Sequence, residues 1–421
     1  MINKRLRKLF SLLGVSLATL SISPYSFSSD FSLPFYNASE LGNTYAGWAA
    51  YANDASTSYT NPAGLSRITN PQFIASAISV QGSVPFVGTA STPVASVTGK
   101  TNGSAGGFAP MLYLSAPVFN NKNIVLGFSE NVPFGLGTDY AKTSLVRYAA
   151  TRTQAVDLDL SPSAGFKIND QFSVGIGLDV QRITITLNHM FGPPLAIPDF
   201  EGQNHLNGWG VGYHAGVLYQ FIPSTRVGVS FNSQSVFHTT GDSILFTPIS
   251  EIRTTSQKIN ITLPARAQAS LYHDLNRCWA LMGSVLYTHW STLQQVILQN
   301  TVTPIGVIPV IIPFQYHDTF DYAVGANFAP NNQWILRAGV QFLNAPSNAR
   351  DRAPNDPTGK MRLVGIGTHY QQNKCIGYDL SYAHNFFGRT TINYVTPLAS
   401  VIGHSHPSSD VFGAQLTWNI V

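Results

Sequence analysis

The sequence predicts an all-β chain, namely a 14-stranded antiparallel transmembrane β-barrel plugged by an N-terminal hatch. Three observations support this prediction. Only 10% of the 421 residues are charged, compared with about 25% in soluble domains. Several segments alternate apolar and polar residues with the period of a β-strand that has two unlike faces. Short polar turns and long loops follow each other along the chain, which is typical of outer-membrane barrels.

Residues 1–28 have the pattern of a secretory signal peptide. A basic start is followed by an apolar run from Leu9 to Leu20 and by small residues at Ser26 and Ser28. The basic residues are Lys4, Arg5, Arg7 and Lys8. Their removal leaves 20 basic residues (24 minus 4) and 20 acidic ones, so the remaining chain gives no indication of a nucleic-acid partner.

Residues 29–70 are predicted to form the hatch, which lies inside the barrel. A 14-stranded barrel is too wide for its own side chains to fill. The segment has apolar residues at helix-like spacing, followed by the polar stretch "NDASTSYTNPAGL" at 53–65. There Asn61-Pro62 predicts either a turn or a helix start, the latter with Asn61 as N-cap and Pro62 at the first helical position.

Residues 71–421 are predicted to form the barrel itself. In "GWGVGYHAGVLYQF" (208–221) every second residue is large and apolar, and the intervening ones are mostly small or polar. Seven long loops alternate with six short turns, which gives fourteen strands, and no apolar run approaches the ~20 residues of a membrane-spanning helix. The predicted long loops are 83–103, 134–151, 189–204, 240–255, 298–313, 346–359 and 388–408.

The stretch "LGNTYAGWAAYANDASTSYTNPAGL" resembles the hatch of the long-chain fatty acid transporter family of Gram-negative outer membranes, which includes toluene and xylene channels. The matching motifs are Leu41-Gly42, Tyr45-Ala46-Gly47, Ala52-Asn53-Asp54-Ala55 and Asn61-Pro62-Ala63. Asn53 stands where the family has an acidic residue. A second similar stretch, "LPARAQASLYHDLNRCWALMGSVLYTHWS" (263–291), extends the resemblance along the barrel.

The resemblance implies a monomeric outer-membrane channel without cofactor or metal, surrounded by outer-membrane lipid and without enzymatic activity. Its expected function is passive uptake of hydrophobic compounds, long-chain fatty acids in the first place, with the hatch as a gate. Three alternatives stay open from the residues: uptake of aromatic hydrocarbons or alkanes by the same route, a general aqueous porin, and an outer-membrane lipid enzyme.

A fatty acid carboxylate requires a basic group inside the barrel. The apolar residues of the strand that begins at Phe172 change from even to odd numbers after Val180, which predicts a β-bulge at Gln181-Arg182 that turns Arg182 inward. Arg182 also lies where the family has its carboxylate-binding arginine. Alternatively, Arg182 pairs with an inward acid such as Asp157, Asp159 or Asp179. Arg266 and Arg337 are two further candidates on polar strand faces.

Two predicted outer loops are apolar enough to bind a hydrophobic substrate or to pack on each other. By the resemblance, they correspond to the loops that form a surface groove for substrate. The first contributes Met190, Phe191, Leu195 and Ile197, and the second contributes Ile244, Leu245 and Phe246. A third loop, "PIGVIPVIIPF" (304–314), has the same character.

The gate is expected where the hatch meets a break in the barrel wall. "ENVPFGLG" (130–137) contains Pro133 and Gly135, which weaken strand pairing. The resemblance implies that this third strand kinks inward and opens a lateral exit beside Asn61, Pro62 and Ala63. It also implies that Phe31 occupies the binding pocket and must move.

Overall fold

The structure is a computed structural model that describes residues 32–33, 35–93, 95–118, 121–192, 199–349, 352–357, 359–396 and 399–420. These residues form a closed antiparallel barrel with short helices inside it. None of the helices in these ranges is long and apolar enough to span a membrane. The predicted signal peptide lies outside the described residues.

The barrel wall consists of twenty β-segments. In chain order they are β1 (Gln72–Ser91), β2 (Ser96–Val118), β3 (Asn121–Asp139), β4 (Arg152–Lys167), β5 (Phe172–Phe191), β6 (Phe200–Ile222), β7 (Thr225–Asn232), β8 (Ser235–Phe246), β9 (Glu251–Leu263), β10 (Arg266–Asp274), β11 (Trp279–Thr288), β12 (Gln295–Thr303), β13 (Gly306–Pro313), β14 (Thr319–Phe328), β15 (Trp334–Leu343), β16 (Met361–Gln371), β17 (Ile376–Phe387), β18 (Thr390–Val395), β19 (Ser400–Ser405) and β20 (Ser408–Asn419).

Six pairs of consecutive segments each form one interrupted strand: β7–β8, β9–β10, β11–β12, β13–β14, β17–β18 and β19–β20. Twenty segments minus these six interruptions give fourteen strands, which confirms the predicted number. The barrel closes where β1 pairs with β20 from Gln72↔Asn419 to Ser83↔Ser408. Closure pairs the first strand with the last, so the sheet has no terminal edge strand in the lipid.

The hatch contains helices α1 (Ala38–Leu41), α2 (Trp48–Tyr51) and α3 (Thr57–Thr60), followed by a 3-10 helix (Pro62–Arg67). Helix α2 is short because Gly47 before it and Ala52 after it both adopt left-handed backbone angles, with φ of 76° and 45°. Glycine lets the hatch approach the wall, since a Cβ on Gly228 of β7 would overlap the backbone of Ala49.

The predicted bulge at Gln181-Arg182 is absent, and Arg182 points outward. Pairing of β5 with β6 runs without a shift from Phe172↔Tyr219 to Phe191↔Phe200. The side chain of Arg182 is exposed and lies over the Trp209 ring, 5.4 Å from its centroid. An inward ion pair between Arg182 and an acid is therefore wrong as well.

The change of parity in β5 reflects a change of surroundings on both faces of the strand. Up to Val180 the outward residues are apolar and face lipid, while Asp179 and Gln181 point inward toward the hatch. Beyond this level the inward residues Ile183 and Ile185 join a buried apolar cluster. Polar residues then become possible on the outer face, because the strand extends past the lipid.

The third strand kinks inward at the predicted place. Pairing between β2 and β3 stops at Ala105↔Thr138 and resumes only at Leu112↔Glu130. All β3 residues from 131 to 138 are buried, whereas a straight barrel strand would expose every second one. The register of β3 against β4 also shifts between Asn131 and Phe134. Strands β2 and β3 are thus unpaired over this stretch, and we call this interruption of the wall the lateral gap.

Candidate functional site

Asn61 fastens the hatch to the barrel. Its side chain accepts a hydrogen bond from the Ala63 N–H (3.1 Å) and donates to the carbonyls of Ala49 (2.6 Å) and Val217 (3.0 Å). Asn61, Pro62 and Ala63 are all buried, and Pro62 begins the 3-10 helix as predicted. The motif therefore ties a hatch turn, helix α2 and strand β6 together.

Replacing Asn61 by alanine is expected to loosen the hatch while the barrel stays folded. Three lost hydrogen bonds correspond to about 3 kcal/mol. Pro62→Ala keeps these bonds and is expected to cost only about 0.4–1 kcal/mol, through the entropy of the unfolded hatch. Limited proteolysis in urea measures the loss of hatch stability in each variant, and oleate uptake rates measure its consequence for transport. Unchanged proteolysis and unchanged uptake in both variants would reduce the motif to a passive turn.

The first described residues of the hatch pair with the kinked strand. Ser32 forms an isolated antiparallel bridge with Phe134, and the Leu33 N–H donates to the Pro133 carbonyl at 3.1 Å. A Cβ on Gly135 would lie 2.8 Å from the Leu33 side chain, so glycine makes room for this segment. Phe31 lies outside the described residues, and its role stays a prediction.

Arg266 lies at the junction of hatch, kink and barrel wall. Its guanidinium donates to the hydroxyls of Tyr36 and Tyr59 of the hatch, the latter at 2.9 Å. The Phe134 ring of the kink is centred 4.8 Å from its Cζ atom. Arg266 is only 4% exposed, and no carboxylate of the described residues forms an ion pair with it. The buried carboxyl group of Asp157 lies within electrostatic range of it but makes no ion pair with it. A buried cation whose hydrogen bonds go only to neutral hydroxyl groups can bind an anion favourably.

Arg337 has a partner already. Its guanidinium donates to Asp379 at 2.7 Å, and His369 contacts the other oxygen of this carboxylate at 3.0 Å. Both members of the Arg337–Asp379 pair are fully buried next to the hatch residue Gly42. The charge of Arg337 is thus neutralised within the barrel wall, unlike that of Arg266.

The three acids proposed as partners of Arg182 all face inward. Asp179 contacts His214 at 2.5 Å, and the other ring nitrogen of His214 donates to the Ser58 carbonyl of the hatch at 2.9 Å. Asp159 accepts hydrogen bonds from Ser161 and Gln181. Asp157 pairs in the sheet with Phe134 of the kink, and neither of its buried oxygens has a hydrogen-bond partner among the described residues.

An apolar cluster fills the barrel on the outer side of Arg266. We call it the upper cluster. Its buried members are Phe134, Leu136, Ile183, Ile185, Leu206, Phe237, Ile259, Ile261, Leu263, Trp290, Leu293, Val296, Leu298 and Tyr316. The cluster meets the guanidinium at Phe134, which belongs to the kink. An apolar tail could therefore lie in the upper cluster with its head group at Arg266.

A cavity of about 580 Å³, here the outer cavity, opens beyond the upper cluster. Leu298 belongs to the upper cluster and also lines the cavity. Leu187, Val310 and Ile312 line the cavity and pack against the cluster. Among its described lining residues there is no Asp, Glu, Lys or Arg. Burial lowers the pKa of His189, another lining residue beyond the lipid-facing part of β5, to about 4. The cavity is therefore uncharged near neutral pH.

The prediction of two apolar loops is wrong for their described residues. These residues belong to the ends of β5 and β8, because both strands extend further than the sequence pattern indicates, and the two ends meet on either side of β6. Met190 and Phe246 both pair with Glu201, so they lie two strands apart in one row. Ile244 and Leu245 are buried, Met190 and Phe191 are half-buried, and Phe246 is exposed. Leu195 and Ile197 lie outside the described residues. The third apolar loop forms the β12–β13 hairpin and supplies Val310 and Ile312 to the outer cavity.

Sequence reasoning missed Tyr36, Tyr59 and Trp290. The two tyrosines are far from Arg266 in the chain, and only the position of the hatch inside the barrel brings them to it. Trp290 follows β11 in a 3-10 helix whose other residues are polar, so no strand pattern indicates that it is buried.

Comparisons with known proteins agree with this architecture. The family described as outer membrane protein transport protein (OMPP1/FadL/TodX) matches residues 19–419. The long-chain fatty acid transport protein of Salmonella typhi is 26% identical over 413 residues, which cover 90% of this chain and 92% of that protein.

Two solved structures have a similar fold. A Pseudomonas aeruginosa FadL homologue aligns with a TM-score of 0.84 at 21% identity, over 93% of this chain and 99% of its own. The Pseudomonas putida toluene transporter TodX aligns with a TM-score of 0.73 at 16% identity, over 93% and 100%. With its hatch, its kinked third strand and a family match over almost its whole length, the chain belongs to the outer membrane protein transport protein family (OMPP1/FadL/TodX) and resides in the outer membrane.

Proposed function

We propose that this protein is a channel for passive uptake of hydrophobic compounds, with long-chain fatty acids as its principal substrates. The observation that carries this proposal is Arg266. It is a buried cation without a carboxylate partner among the described residues, and it lies between the upper cluster and the kink. A fatty acid has the matching chemistry, since its tail suits the cluster and its carboxylate suits the guanidinium.

The proposed route begins at the outer cavity and passes through the upper cluster to Arg266. A carboxylate at Arg266 competes with the hydroxyl of Tyr36, which lies only a few residues from the bridge between Ser32 and Phe134. Release of Tyr36 frees the first hatch residues from the kink, and the substrate then leaves through the lateral gap. The route needs no cofactor, energy source or catalytic step, and it lies within one chain, so we expect a monomer.

Aromatic hydrocarbons are the second candidate substrates. The uncharged lining of the outer cavity favours neutral compounds as much as acyl tails, and one protein of similar fold is a toluene transporter. An aqueous porin is disfavoured because buried hatch side chains fill the barrel. An enzyme is disfavoured because both ring nitrogens of His214 are engaged, one by Asp179 and the other by the Ser58 carbonyl of the hatch, so this pair has no nitrogen available to activate a nucleophile.

A strain that lacks its fatty acid transporter provides the test of the proposed function. Expression of this protein is expected to restore growth on oleate, and the purified protein is expected to bind oleate. If the strain instead fails to grow on oleate although the barrel is folded in the outer membrane and toluene enters rapidly, that result would favour aromatic compounds as the substrates.

A charge in the outer cavity is expected to slow uptake. Val310→Asp would place a carboxylate in the cavity. This charge would repel the carboxylate of the substrate, and an entering apolar tail would remove its hydration water at a cost in free energy. Val307→Asp is the matched control, because Val307 lies on the opposite, exposed face of the same strand. We expect several-fold slower oleate uptake for the first variant and an unchanged rate for the second. Equal rates would remove the cavity from the route.

A further inference from the structure

A broad depression of about 800 Å³ lies on the lipid-facing wall of the barrel. We call it the tail groove. Its floor consists of the small outward residues Ala77, Ser79 and Ala414. Large apolar side chains surround them: Phe108, Leu336, Ile366, Leu380, Tyr382 and Phe412. On the opposite wall, outward positions of β5 and β6 carry large residues such as Leu178, Val211 and Tyr213.

The tail groove begins at the lateral gap. Phe108 belongs to the part of β2 that has no partner in β3, and its side chain is 47% exposed. From there, sheet pairing forms one row across the wall: Phe108↔Ser79, Ser79↔Phe412, Phe412↔Tyr382 and Tyr382↔Ile366. A neighbouring row contains Pro110, Ala77, Ala414 and Leu380. The groove thus runs directly away from the gap, across the strands.

We propose that the tail groove binds the hydrocarbon tail of the substrate as it leaves the lateral gap; this rests on the proposed function. Within a bilayer, apolar contact alone gives no preference, because lipid tails are as apolar as leucine. Preference arises from shape, since a concave wall offers a chain more van der Waals contacts than a convex one. The groove holds the tail against the wall while the carboxyl group clears the hatch.

The tail groove can be located by photocrosslinking. Wild-type protein in phospholipid nanodiscs is incubated with a palmitate analogue that carries a diazirine in its tail, and crosslinked peptides are identified by mass spectrometry. We expect labelling at Ser79, Phe108 and Phe412 that exceeds labelling at Leu178 and Val211. Labelling that is even around the barrel, or that appears in the groove only with a photoreactive phospholipid, would overturn the inference.

Filling the tail groove tests its role. Ala77→Trp and Ala414→Trp occupy its floor, and Ala215→Trp places the same side chain at an outward position of β6 on another part of the wall. We expect oleate binding to the purified variants to stay unchanged, with oleate uptake several-fold slower for the two groove variants only. Uptake at the wild-type rate in both groove variants would overturn the groove. Wild-type protein that neither binds nor takes up oleate would instead overturn the proposed function.

Discussion

Replacing Arg266 by methionine is expected to weaken binding of a long-chain carboxylate roughly 10- to 100-fold, because a charge-assisted hydrogen bond contributes about 1.5–3 kcal/mol and each 1.4 kcal/mol is tenfold in affinity. Methionine keeps much of the apolar volume, so the alcohol of the same chain length should bind as before. Tyr36 and Tyr59 lose a donor, and no ion pair of the described residues is broken. Fluorescence or calorimetric titration with oleate and oleyl alcohol measures the difference.

Arg182→Met is the matched control for this experiment. The Arg182 side chain points outward beside Trp209, so its loss should change neither titration. Arg337→Met differs from both, because it would leave Asp379 buried without its main partner and should lower barrel stability before it affects binding. Equal oleate affinity in wild type and Arg266→Met would contradict the assignment of Arg266.

A disulfide between positions 32 and 134 is expected to stop uptake. Antiparallel partners have Cα atoms about 4.5–5.5 Å apart, within the range that a disulfide spans. The double variant Ser32→Cys/Phe134→Cys, in a chain whose own Cys278 and Cys375 are replaced by serine, would lock the first hatch residues onto the kink. Reductant should restore uptake, so the reduced protein serves as its own reference.

A second disulfide tests whether the rest of the hatch must move. The hydroxyls of Ser66 in the 3-10 helix and Ser173 in β5 are 2.8 Å apart, so the thiols of Ser66→Cys/Ser173→Cys would be close enough to form a disulfide after a small adjustment. We expect unchanged uptake in this variant, because the base of the hatch is bound to the wall at Asn61 throughout the proposed cycle. Normal uptake with the first disulfide oxidised would show that these residues do not gate the gap. A block by the second would show that the whole hatch moves.

The membrane barrel could be predicted from the sequence because its causes are local. Lipid on one face of a strand and a different interior on the other impose the period of two, and the lengths of loops and turns give the number of strands. Asn61-Pro62 was recognisable as a turn or a helix start for the same reason, since both depend on neighbouring residues, and the structure has the helix start. Pro133 and Gly135 marked the kink because they act on their own strand.

The binding residues required the tertiary structure. In the sequence, the even-to-odd change after Val180 looks like a bulge. In the structure, the surroundings of the inner and the outer face of β5 change at the same level, and the pairing of β5 is uninterrupted. Arg182 therefore stays on the outer face. Arg266 and Arg337 look alike in the sequence, each on a polar strand face. Only the closed barrel gives Arg337 a carboxylate from another strand and gives Arg266 two phenols from the hatch. The sequence by itself determined which faces of the strands are polar, whereas long-range pairing decided which charge stays available to a ligand.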